Sequence, residues 1–568
     1  MDACSKGGNE MRRIANPWSG GPAINRRLFV GGTAGVAASG LFGRQAVAQA
    51  KNSTLRVGVT AFDKENLDPA VEARSAVIDV HMMLYDCIVE IGPNSELVPG
   101  IAESWSTDSS GTLWTFKIRQ GVQFHHGYGE VTAEDVAFSL QRYFDPATAT
   151  SSSRGPVVAA IESVQATDKY TVEIKTKGIT SGLLYLLSPH QTASGIVLSK
   201  KYLTEKGGST IDAQTKAMNE RPIGSGPYEF VSRVRGQSLT FKAVDKHWRT
   251  NPEIRTVQWL LIPDPSTQFV MLQSGELDLI FLDPDRARQA KSVKGLKIQS
   301  FPYGLDFAMN FYGVYTENAK KMPTSDVRVR RALSKAIDRK TIIETLMGGY
   351  AKLPVVPFGI ASSADGVDAS SSKPWADDLA VYDPEGAKKL LAEAGYPKGF
   401  GGFKIYTFNI AGRLTNTPEL VLAIAAGWEK IGVKPEVVQI DYALVRPHMV
   451  GDMNDPYVAG NCIAFSNQPR STLEDFLDVW YKSNGSAKLL ANKELDAMVL
   501  EMKNTIDPAK RTEIGTRALN IVRDESSSLA VLTADSLYGV NANVVGSWNP
   551  RPGYSFLARQ IELIKLPA

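Results

Sequence analysis

Three cysteines and six histidines in 568 residues leave this chain poor in the side chains that hold metals, form disulfide frameworks or pair as nucleophile and base. No Cys-x-x-Cys, His-Glu-x-x-His or Gly-x-Ser-x-Gly string occurs, and no Ser-x-x-Lys has a supporting set, which argues against structural zinc and against a hydrolase. Cys87 and Cys462 lie in apolar contexts, Leu84-Tyr85-Asp86-Cys87-Ile88-Val89 and Asn461-Cys462-Ile463-Ala464-Phe465, and read as two buried thiols. Lysine and arginine form no run, so there is no electrostatic case for nucleic acid or a membrane surface as partner. A long apolar run is also missing. The uncharged stretch from Leu28 to Gly43 is too short and too rich in glycine to span a bilayer stably.

That stretch follows Asn25-Arg26-Arg27-Leu28-Phe29-Val30 and ends at Ala48-Gln49-Ala50, where small residues suit a leader peptidase. Low hydrophobicity behind an arginine pair is the pattern of a twin-arginine export signal, so residues 1–50 are expected to be a leader and the mature chain to work in the periplasm. Met11 is a plausible alternative start, and Cys4 has no apolar segment in front of it to suit a lipid anchor. Loss of the leader removes six cationic and two acidic residues and takes the net charge from +3 to −1. The basic balance belongs to the leader, and the mature chain should meet small molecules or proteins.

What remains is long enough for two or three lobes and shows both periods of regular structure, which makes the class mixed α/β. Trp114, Phe116 and Ile118, then Tyr170, Val172 and Ile174, then Leu239, Phe241 and Ala243 alternate with polar residues as half-buried strands do. Thr54 to Val59 and Val257 to Ile262 are rich in apolar and β-branched residues, as strands covered on both faces are. Asp383 and Pro384 open a helix whose Ala387, Leu390, Leu391 and Ala394 share one face, with Gly395 closing it. Val329, Ala332, Leu333, Ala336 and Ile337 predict a second helix, and Leu422, Ala425, Ala426 and Glu429 with Trp428 and Ile431 a third. Thr132 and Asp135 form a capping-box pattern.

Several strings tempt toward a site and have simpler readings. Gly224-Ser225-Gly226-Pro227 lacks the lysine of a phosphate loop and reads as a structural turn. His125 and His126, adjacent in an expected strand, would point to opposite faces and not share a metal. Arg328, Arg330 and Arg331 read as solvated or salt-bridged, and Trp105 and Trp114 as core.

Longer strings in fixed order carry a resemblance that periodicity cannot supply. They include Asn66-Leu67-Asp68-Pro69-Ala70, Leu97-Val98-Pro99-Gly100-Ile101-Ala102-Glu103-Ser104-Trp105, Trp114 to Gly127, Val131-Thr132-Ala133-Glu134-Asp135-Val136, Ile223 to Tyr228, Leu272-Gln273-Ser274-Gly275-Glu276-Leu277-Asp278, Val327 to Leu333 with Ala336 to Arg339, and Ala387 to Tyr396. Together they resemble the extracytoplasmic solute-binding proteins of family 5, the dipeptide, oligopeptide and nickel class that serves ABC importers. The resemblance implies a two-lobed periplasmic-binding-protein fold with a hinge and an extra α/β subdomain inserted in the first lobe. The implied first lobe is 51–90, 222–300 and 533–568, the insertion 91–221 and the second lobe 301–532. It implies no chemistry and no cofactor, only capture of a solute between lobes by a monomer that delivers it to an ABC permease.

Site residues follow from the same resemblance. Peptide-binding relatives carry an aspartate after a Gly-Trp segment that pairs with the peptide ammonium, and here Ala464-Phe465-Ser466-Asn467-Gln468-Pro469-Arg470 stands in that place. Gln468 replaces the aspartate and Arg470 adds a positive charge. An amide accepts a hydrogen bond from an ammonium but cannot neutralise it, so the change disfavours peptides and favours a neutral or anionic ligand such as an opine or sugar derivative. Asp63 is a possible substitute acid. Arg413 lies where dipeptide-binding relatives send an arginine to the ligand carboxylate, and its fork suits carboxylate or phosphate. Phe465 would give an apolar wall, Ser466, Asn467 and Gln468 hydrogen bonds, Phe62 and Asp63 the opposite wall, with Asn310 after the hinge and Tyr442 completing the set. Two other classes stay open: a ligand-presenting sensor or chaperone-like binding protein, and a periplasmic hydrolase.

Overall fold

Apolar–polar alternation becomes strand where the sequence shows it. Phe116 and Ile118 are fully buried within the strand Leu113–Ile118, and Val172 and Ile174 within Thr171–Thr176. These pair with Ala102–Thr107 and Ile161–Asp168 in a four-stranded antiparallel sheet. The computed structural model describes residues 53–62, 66–71, 75–92, 96–148, 153–189, 194–354, 380–409, 414, 416–467, 472–549 and 557–568, and residues 51–568 make one compact unit.

A mixed eleven-stranded sheet runs through that unit. At one end Thr54–Val59 pairs in parallel with Thr256–Leu261 and Leu279–Leu282. At the other, Phe400–Thr407 pairs in parallel with Val433–Gln439 and Cys462–Asn467. Two long antiparallel strands, Leu296–Phe311 and Ser528–Asn541, join the ends, and their register shifts between Phe301 and Leu305. We call these the crossing strands. One half of the pair, with Phe301 and Val540, belongs to a core that takes in Leu55, Val57, Trp114, Phe116, Ile161 and Ile174. The other half lies between two cores, one with Phe307, Leu333 and Trp428, the other with Ala308, Phe465 and Trp480. The first body is therefore continuous with residues 97–218, and the second holds its sheet between helices on both faces.

The helix that Asp383 caps spans Pro384–Glu393, with Ala387 and Leu391 buried. Val327–Lys335 buries Val329, Ala332 and Leu333. Thr132 donates its N–H and hydroxyl to the Asp135 carboxylate at 2.9 and 2.8 Å, locking the start of Ala133–Gln141. Cys87 and Cys462 are both buried, and they are not joined by a disulfide.

Three expectations need correction. The helix Thr417–Glu429 buries Leu420, Val421, Ile424, Ala425 and Trp428, while Leu422 is exposed, so the apolar face is rotated from the one read in the sequence. Arg330 is neither solvated nor chiefly salt-bridged: it is buried and donates to the carbonyls of Thr324, Ser325, Glu525 and Ser526, which helix and strand ends leave unsatisfied. His125 and His126 lie in a 3-10 turn and not in a strand. His125 is buried with its Nε2 2.8 Å from the Gly226 oxygen and its Nδ1 accepting from the Gly224 N–H, and burial lowers its pKa to about 4. The Gly224-Ser225-Gly226-Pro227 turn is thus held by a histidine, and any side chain at Gly224 would strike the Leu84 oxygen.

Candidate functional site

In open α/β sheets, ligands bind beyond the carboxyl ends of parallel strands. Here two sets of such ends meet. Leu282 closes its strand opposite Leu537, near the middle of one crossing strand, and Asn467 closes its strand opposite Asp306, near the middle of the other. The strands ending at Val59, Leu261, Thr407 and Gln439 run the same way as these two sets. The convergence zone therefore lies where the register shift lets the bodies bend against each other.

On its second-body side, Asp306 stands between Asn467 and Thr533, and the Thr533 hydroxyl donates to its carboxylate at 2.6 Å. All three are almost fully buried. Phe465 shares a face of the strand with Asn467. Its ring lies 5.9 Å from Phe408, 6.2 Å from Tyr442 and 5.4 Å from Trp480, with Phe408 and Tyr442 5.1 Å apart. On the side toward the first body, Asp535 takes a hydrogen bond from Ser300, and Asp283 caps a helix and pairs with Arg286. A small recess lined by Phe281, Asp283, Leu305, Leu414, Asp535 and Leu537 opens between the bodies. Burial pushes the Cys462 thiol well above its ordinary value, so the cysteine nearest this zone stays protonated and inert. Among the described residues no group of three His, Cys, Asp or Glu side chains could hold a metal.

Phe465, Asn467 and Tyr442 are thus brought together. Ser466 alternates to the opposite face and pairs with Phe307. Asn310 is fully buried further along the crossing strand, where the Ser528 hydroxyl donates to its side-chain oxygen at 2.7 Å. Phe62 is buried in the first-body core, following the strand Thr54–Val59. Asp63, Arg413, Gln468 and Arg470 lie outside the described residues. Asp306 and Thr533 escaped the sequence reading. An aspartate inside the otherwise apolar string Leu305-Asp306-Phe307-Ala308-Met309 was the signal available.

Residues 96–484 match the family described as bacterial extracellular solute-binding proteins, family 5. Heme-binding protein A of Haemophilus influenzae is 28% identical over 494 residues, covering 83% of this chain and 85% of that protein. The glutathione-binding protein GsiB of Escherichia coli is 26% identical over 483 residues, covering 80% and 84%. The ABC transporter substrate-binding protein CtaP of Listeria monocytogenes has the same two-lobed fold, with a TM-score of 0.74 at 20% identity over 91% of this chain and 99% of that one. The chain belongs to family 5 of the bacterial extracellular solute-binding proteins, and is a substrate-binding component of an ABC importer and not an enzyme.

Proposed function

We propose that this protein captures a polar organic solute where the strand ends meet on the crossing strands, and hands it to its permease. The observation that carries this reading is the placement of Asn467, Asp306 and Thr533 abreast beside the Phe465–Tyr442–Trp480 aromatic group, a polar floor against an apolar wall. The lobes we assign are 51–90, 222–300 and 533–568, with insertion 91–221, and 301–532. The separate cores on either side of the crossing strands support this division. The mature chain is read as a monomer in the periplasm, exported by the twin-arginine leader.

Gln468 in place of the family's aspartate, with Arg470 close after it and Arg413 where dipeptide-binding relatives send an arginine, favours a neutral or anionic ligand such as an opine or sugar derivative. One observation favours a second reading. Asp306 is a carboxylate beside Asn467, and such a group suits a ligand ammonium, so a peptide-like compound remains the alternative.

Denaturing the mature protein after equilibration with a host metabolite extract, and identifying the released molecule by mass spectrometry, separates the two. A sugar derivative or opine-like acid supports the first reading, and a peptide the second. Arg413→Ala is expected to weaken an anionic ligand at least tenfold, about 1.4 kcal/mol, by calorimetry. Equal affinity in both forms would remove that arginine from the site.

A further inference from the structure

The crossing strands are not the only place where the two bodies touch. Ser181 belongs to the first: the residues after it, Leu183 and Leu187, are fully buried in the first-body core, and the Leu187 carbonyl accepts from the Val89 N–H at 3.1 Å. Yet its own hydrogen bonds run to the second body. Its N–H donates to the Lys503 carbonyl at 3.4 Å, and its hydroxyl lies 3.4 Å from the Met502 carbonyl and 3.3 Å from Glu474 Oε1.

Met502 and Lys503 end the helix Lys493–Lys503, whose last carbonyls have no partner within the helix. Ser181 supplies one to the Lys503 carbonyl from across the gap, and its hydroxyl adds to the Met502 carbonyl, which also accepts from the Thr505 N–H at 3.1 Å. Glu474 is buried and held by Arg511 Nη2 at 2.7 and 2.8 Å, so the acceptor facing Ser181 is fixed in place. Beside these polar contacts lies an apolar one. Ile506 is 43% exposed, and its Cδ1 packs so closely over Gly111 that a Cβ there would come within 2.7 Å of it. Gly111 has φ of +68° in a turn tied by Asp108 to Ser110, Thr112 and Leu113, a rigid surface for the methyl to meet.

Glu474 also sits in the first turn of the helix Leu473–Trp480, immediately after the 468–471 segment that carries Gln468 and Arg470. The same helix contributes Trp480 to the aromatic wall. A shift of this helix therefore moves both the wall and the carboxylate that faces Ser181.

We propose that Ser181, with Gly111, forms a latch that holds the second lobe against the inserted subdomain when the cleft is closed, and that the helix Leu473–Trp480 links the latch to the ligand site. The latch needs only the two-lobed fold and does not depend on which solute is bound. Hinge closure brings two discrete bodies into contact, and a contact formed only in one arrangement stabilises that arrangement.

Two measurements on the mature chain, residues 51–568, test this. In a Ser181→Cys/Lys503→Cys variant, mild oxidation is expected to give an intramolecular crosslink and loss of the two introduced thiols, Cys87 and Cys462 being buried. By small-angle X-ray scattering, Ser181→Glu, which sets a second carboxylate against Glu474, is expected to raise the radius of gyration above the wild-type value with circular dichroism unchanged. Ile506→Asp is expected to do the same from the other body and serves if Ser181→Glu fails to fold. No crosslink would overturn the proposal. So would a crosslink with dimensions unchanged in the folded variants, because the lobes would then meet without being held.

Discussion

Two buried arginines, one in each body, behave in opposite ways. In the first, Arg142 reaches Asp68 with both terminal nitrogens, at 2.8 and 2.6 Å, and stitches the inserted subdomain to the segment after the first strand. Burial works against its charge, but Asp68 more than restores it, and the guanidinium is held above its ordinary value. In the second, Arg339 is fully buried and donates to hydroxyl and carbonyl oxygens, those of Ser334 and the Ala530 carbonyl at 2.9 Å and the Ala380 carbonyl at 3.5 Å. Burial alone brings its pKa down to about 9. A carboxylate from a distant segment makes an arginine a charge pair that joins two parts of the chain. Without one, as at Arg339, the arginine caps backbone, although the second body also has a buried pair in Arg511 and Glu474.

The comparison can be broken most strongly at Arg142. Replacement by Met leaves the Asp68 carboxylate buried beside Thr215 without its cation and is expected to cost about 3–5 kcal/mol, read as a lower calorimetric transition for the first body. Adding Asp68→Asn should recover much of that loss. If the single variant melts like wild type, the pair does not stitch the insertion in place.

Acid sharpens the contrast. His81 and His125, both in the first body, are kept neutral by burial, each with a pKa lowered to about 4. The unfolded imidazoles titrate near 6.5, so between pH 6.5 and 4 the unfolded chain binds more protons and stability falls as pH drops. The expected loss at pH 5 is about 2 kcal/mol per histidine, with no such effect above about pH 6.5. Calorimetry at pH 7 and 5 should show the first-body transition move down while the second body, whose described histidine His448 is partly exposed and paired with Asp455, moves less.

Arg339→Met is the mildest of the three. It leaves the Ser334 and Ala530 carbonyls short of a donor, at an expected cost of about 1–2 kcal/mol in the second-body transition. A cost equal to that of Arg142→Met would erase the distinction between pairing and capping.

Much of this architecture is legible in the sequence because its signals are local. Asp383-Pro384 and the Thr132/Asp135 box fix helix starts through contacts within four residues, and the alternation about Phe116 and Val172 fixes strands through burial of one face. The rotated face of Thr417–Glu429 was misread because Leu422 is apolar yet meets solvent, which no single-helix pattern reveals. Arg330 was misread because its partners are carbonyls up to 196 positions away. The candidate site is half legible. Phe465, Asn467 and Tyr442 came from likeness to relatives, whereas Asp306 and Thr533 become neighbours only through the register of strands 227 residues apart.

The central claim is that solute is held where the two sets of strand ends meet, and calorimetry on Asn467→Ala tests it most directly, using the compound identified by mass spectrometry. An affinity at least tenfold weaker than wild type is expected, because the ligand group buried against the polar floor is left without the Asn467 amide as its hydrogen-bond partner. An unchanged affinity, with the variant folded, would place the ligand elsewhere and contradict the account.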